Sequence, residues 1–112
     1  MFNNLGTIYL LIAIAADVLS TFYSARANGW QNKTDQIVAF GLYFISFVGA
    51  AMALKYMKAG ILYVLWAGIG AAATALLAKL FLKQSIDTPG WIGITLIILG
   101  VTVIAQWSDL DV

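Results

Sequence analysis

Cysteine and histidine are both absent from the 112 residues. Disulfides, a thiol nucleophile and a Cys/His metal centre are thereby excluded, and no redox compartment can be read from the chain. Charge is also scarce. Only 10% of residues are charged and the formal net charge is +1, too little and too scattered for a nucleic-acid surface or a polybasic lipid-binding face. Proline occurs once, at Pro89. Apolar residues fill the chain instead, at 62% and a mean hydropathy of +0.93. A soluble fold this small exposes too much of its surface to bury so much apolar area, so the composition indicates an integral membrane protein covered by lipid.

A helix needs about 20 apolar residues to cross about 30 Å of hydrocarbon. Four runs fit, roughly over residues 6–24, 36–56, 60–81 and 91–106. The joints between them are short and polar: ARANGWQNKTDQ, KYMKAG and KQSIDTPG, the last placing Pro89 at a helix entry. The expectation is an all-α membrane protein, a single four-helix transmembrane domain over residues 1–112 with antiparallel neighbours. The first apolar run begins at Leu5 with no basic n-region before it, so it is expected to stay as a span and not to be removed as a signal peptide. Trp30, Trp91 and Trp107 lie near span ends, where indole rings suit the interface. Arg26, Lys33, Lys79 and Lys83 fall on one side, and Lys55 and Lys58 on the other. So weak a bias leaves both orientations open.

Asp17 stands out in the stretch AIAADVLST, in the middle of the first span. An ionised carboxylate at mid-membrane costs on the order of 2.5 to 3.5 kcal/mol on insertion scales and marks a functional site by default. Ala13, Asp17, Ser20, Thr21 and Ser24 share one helical stripe, which suggests an interior, wet face. The second span offers Tyr43, Ser46, Phe47 and Ala50 on one face, and the third offers Tyr63, Trp66, Gly70 and Thr74. Aromatic rings around a lone carboxylate suit a lipophilic cation, which the charge attracts and the ring faces hold by cation–π contact. Plain helix packing is the alternative for those rings, and a protonated Asp17 that merely pairs two helices is the alternative for the acid.

The other acids, Asp35, Asp87, Asp109 and Asp111, fall in joints or the tail, and Lys79 can snorkel to the interface. With no second titratable group at mid-span, no acid/base pair, nucleophile or metal constellation forms. Neither an enzyme nor a cofactor is expected. Gly93 and Gly100, seven residues apart in the fourth span, permit close helix approach and suggest a contact between two copies. Gly68 and Gly70 in the third suggest a bend.

These residues resemble the small multidrug resistance transporters. The likeness runs from Tyr9 to Ser108 and rests on the AxxADVxxT pattern at Asp17, on Tyr43, on AGILYVLWAGIG around Trp66 and on GITLIILGV in the fourth span. It implies a four-helix protein of the bacterial inner membrane, working as an antiparallel dimer that exchanges protons for lipophilic or quaternary ammonium cations. It further implies that Asp17 is shared by proton and substrate, and that Ala13, Ile14, Val18, Thr21, Tyr43, Phe47, Tyr63 and Trp66 line the cavity. Gly68 and Gly70 would mark the bend, and Gly93 and Gly100 the dimer contact. Within the family the quaternary-ammonium exporters are more similar than the guanidinium exporters, whose usual tryptophan three residues after the acid is Ser20 here.

Three positions depart from the family pattern. Asp17 replaces a glutamate, Ala67 replaces a serine or threonine, and Lys58 stands where proline is common. These departures admit a second expectation, that the chain is half of a paired assembly exporting an amine, polyamine or guanidinium, with a homologous subunit supplying what is missing. A non-transporting membrane interaction subunit and an ion channel are the readings of a different class.

Overall fold

The computed structural model describes residues 4–108; Asp109 and Asp111, read above as tail acids, lie outside them. Four helices follow one another: α1 (Asn4–Arg26), α2 (Lys33–Ala53), α3 (Ala59–Phe81) and α4 (Thr88–Trp107). All four are long and apolar enough to cross a membrane.

The helices begin further into the joints than hydropathy alone indicates, whereas α2 ends at Ala53, short of the expected residue 56; capping explains where α2 and α4 begin. Asn32 accepts a hydrogen bond from the Asp35 amide, so α2 begins at Lys33 among polar residues. Asp87 accepts from the Gly90 amide with Pro89 in the first turn of α4. Each cap satisfies an amide that the first helical turn leaves without a partner. Joint one is further tied by Ser24, whose hydroxyl donates to Gln36 Oε1 at 2.8 Å, and by the Gln36 side chain, which donates to the Gly29 carbonyl. Arg26 faces Asp35 at 3.6 Å. Joint two turns sharply over Met57, which is buried, while Tyr56 stacks on Tyr9 with ring centroids 6.3 Å apart.

Helix α1 lies between α2 and α3, and α4 packs chiefly on α3. In lipid, helix association comes from close van der Waals fit and interhelical hydrogen bonds. The α1–α2 seam shows both. Gly49 sits so close to α1 that an added Cβ would lie 3.1 Å from that of Ala13 and 3.3 Å from the Tyr9 carbonyl. Ser20 donates to the Ala39 carbonyl at 2.7 Å. On its other side α1 contributes Leu10, Ile14 and Val18 to a cluster with Met57, Leu62 and Leu65.

This seam corrects the expected wet face of α1. Ala13 is buried against α2, Ser20 bonds α2 backbone and Ser24 bonds Gln36. One stripe of α1 therefore serves mainly to hold α2, because small and hydroxyl side chains permit close approach as readily as they permit hydration.

Helix α3 is continuous through Gly68 and Gly70. At Gly68 the space of a side chain is taken by Val101 of α4, 2.5 Å from where a Cβ would stand. That glycine lets α4 approach. No residue of α4 is buried, and an added Cβ on Gly93 or Gly100 would meet nothing within 4 Å.

Candidate functional site

Asp17 is half-buried on α1 and faces α3. The indole Nε1–H of Trp66 donates to its Oδ2 at 2.7 Å. A bond to a charged acceptor at this length is of the stronger, charge-assisted kind. It fixes one carboxylate oxygen, while a carboxylate has about four acceptor positions. The hydroxyl of Thr21 does not reach the carboxylate, because it bonds the Asp17 backbone carbonyl at 3.1 Å within α1.

Two clefts meet at this pair. One, of about 540 Å³, runs towards the α2–α3 joint and is walled by Tyr43, Leu54, Leu62 and Tyr63. The other, of about 440 Å³, runs towards the α3–α4 joint past Gly70, Ala71, Thr74 and Ala78 to Gln84. Asp17, Trp66 and Ala67 belong to both. Among the described residues no lysine or arginine lines either cleft, so a cation arriving at Asp17 meets no competing positive side chain from them.

The structure thus brings Asp17, Tyr43, Tyr63 and Trp66 together around one space. Val18 and Thr21 line a smaller neighbouring recess of about 140 Å³ that shares Thr74 and Gln84 with the second cleft. Ala13 and Ile14, expected on the wall, lie instead in helix contacts, at 0% and 4% exposure. Phe47 is 67% exposed and lines neither cleft of the single chain. Its position four residues after Tyr43 shares a broad face of α2 but turns it about 40° further round the helix. Gly70 lines the second cleft. Gly100 borders an apolar groove between α3 and α4 that also contains Tyr63, Ala67 and Gly68.

Two features of the site were not legible in the sequence. The second cleft with Gln84 is one, since a joint residue carries no signal that it turns towards mid-span. The other is that the hydroxyl of Ser46, read above on the same face of α2 as Tyr43, is buried without a hydrogen-bond partner among the described residues.

Comparison with known proteins agrees with this architecture. The family model described as Small Multidrug Resistance protein matches residues 5–97. The chain belongs to the small multidrug resistance family. It is similar to the nicotine metabolites export pump subunit NepA of Paenarthrobacter nicotinovorans, 36% identical over 82% of this chain and 79% of the relative. It is 35% identical to the multidrug transporter EmrE of Escherichia coli, over 87% of this chain and 88% of the relative. The quaternary ammonium compound-resistance protein QacF of Klebsiella aerogenes is 32% identical over 93% of this chain and 94% of the relative. The protein is therefore a multi-pass transporter of the bacterial inner membrane that acts in small-molecule efflux, and not an enzyme.

Proposed function

We propose that this small multidrug resistance protein is a proton-coupled antiporter exporting lipophilic or quaternary ammonium cations, with Asp17 shared by proton and substrate. The observation that carries the reading is the Asp17 carboxylate, held by Trp66 at 2.7 Å in the wall of a cleft that also contains Tyr43 and Tyr63. The carboxylate supplies charge and the rings supply cation–π attraction and flat apolar area. The resistance and multidrug names of QacF and EmrE point to the same class of cargo.

The mechanism rests on exclusive occupancy. A cation entering from one side displaces a proton from Asp17; after access alternates, a proton from the other side displaces the cation. Trp66 holds the carboxylate in position during both exchanges. The working unit is an antiparallel dimer. The rings of Tyr43 and Tyr63 are 59% and 73% exposed, and a second copy would close the space over them and bring a second Asp17 to it.

The name of NepA, a pump subunit, favours one alternative: a paired homologous subunit completes the site. Ala67 lies beside Asp17 in both clefts without a hydroxyl to offer, which a partner could supply.

The test is proton release from detergent-solubilised protein on adding a quaternary aromatic ammonium, with guanidinium in parallel. Wild type is expected to release protons to the ammonium ion, and Asp17→Asn to release none. Equal release from the Asn variant removes Asp17 from the mechanism. Release triggered only by guanidinium reassigns the cargo.

A further inference from the structure

The two clefts that meet at Asp17 differ in chemistry. The one towards the α2–α3 joint is aromatic and aliphatic, with Tyr43, Leu62 and Tyr63. Beyond Trp66, the second is kept open by Gly70, Ala71 and Ala78, which carry nothing larger than a methyl group, and holds two polar side chains, Thr74 and Gln84. The hydroxyls of Thr21, Thr95 and Thr102 each bond the carbonyl four residues earlier. Thr74 makes no such bond among the described residues, although a mid-helix threonine commonly does, and its side chain lies in the cleft wall. Among the described residues no charged side chain other than Asp17 lines this cleft. It therefore suits a neutral group ending in a hydrogen-bonding atom, and not a second cation.

Resting on the reading of Asp17 as the cation site, we propose that the substrate is a two-armed cation. Its positive nitrogen sits at Asp17, a flat apolar arm lies against Tyr43 and Tyr63, and an uncharged arm reaches Thr74 and Gln84 with a hydroxyl or amide at its end. Thr74 is two helical turns beyond Trp66, about 12 Å along α3, and at bond lengths of about 1.5 Å a chain of about eight carbons spans most of that distance. Trp66, shared by both clefts, stands at the branch point between the arms.

Three probes test this by calorimetric titration of the full chain in detergent: benzyltrimethylammonium, benzyldimethyloctylammonium, and the same octyl compound with a terminal hydroxyl. In Thr74→Val the ratio of the hydroxyl-ended to the methyl-ended Kd is expected to rise about fivefold, the range of one lost hydrogen bond. Gln84→Leu is expected to move the ratio in the same direction. Ala71→Leu, which fills the second cleft, is expected to weaken both octyl compounds at least about fivefold relative to benzyltrimethylammonium. Ratios unchanged within about twofold in Thr74→Val and Gln84→Leu overturn the proposal, as does an Ala71→Leu variant that weakens all three probes equally. Asp17→Asn separates the two levels of the argument. If it abolishes binding of every probe while the Thr74 and Ala71 ratios stay flat, the cation site stands and the second arm falls. If it binds all three as wild type does, both fall.

Discussion

At the scale of single residues, the bond from Trp66 to Asp17 links binding to chemistry. The 2.7 Å bond orients the carboxylate that a cation would meet. Trp66→Phe keeps an aromatic face and removes the N–H. Cation affinity at fixed pH is expected to fall about tenfold, which corresponds to about 1.4 kcal/mol, with helix content and dimer fraction preserved. Binding at wild-type affinity would show that the ring matters and the N–H does not. Asp17 was legible in the sequence as a candidate because a lone acid within an apolar run is costly wherever it points. Its partner was not. Trp66 lies 49 residues away, and periodicity indicates which face of a helix a residue occupies, not which neighbour covers that face.

Among elements, the α1–α2 seam carries the clearest stability prediction. Gly49→Val drives a branched side chain towards Ala13 and the Tyr9 carbonyl, where a Cβ alone is already tight at 3.1 and 3.3 Å. Overpacking of this kind costs about 1 to 3 kcal/mol. A lower midpoint of thermal unfolding in detergent is expected for Gly49→Val. Gly41→Val, whose Cβ meets nothing within 4 Å, is expected to unfold near wild type; equal loss in both would place the cost in helix propensity. The four helices themselves were legible because each is an apolar run of spanning length. Their starts were displaced from the hydropathy limits because Asn32 and Asp87 cap polar first turns, which hydropathy does not register. Ser20 was misplaced for a related reason. It lies only about 60° around α1 from Asp17, close enough to share a face on a helical wheel and far enough to bond Ala39 of α2.

For the whole molecule, α4 sets the question of assembly. It packs chiefly on α3, has no buried residue and leaves Ile92, Leu96, Leu99 and Val103 exposed. Lipid satisfies such a face, but open glycines at positions 93 and 100 suit close contact with another helix. Gly93→Leu and Gly100→Leu are each expected to lower the dimer fraction seen by light scattering in detergent. A distribution indifferent to both would place the dimer contact elsewhere. Assembly in turn bears on transport, because a shared space with two Asp17 groups requires two chains. The central claim is that proton and cation compete for Asp17 and that this competition couples their flows. It is tested most directly in proteoliposomes, by imposing a pH gradient and measuring accumulation of a labelled quaternary ammonium cation against its own gradient. Wild type is expected to accumulate the cation and to lose that accumulation when the pH gradient is collapsed, and Asp17→Asn to accumulate none. Gradient-driven accumulation by Asp17→Asn, or accumulation by wild type that ignores the pH gradient, would contradict the account.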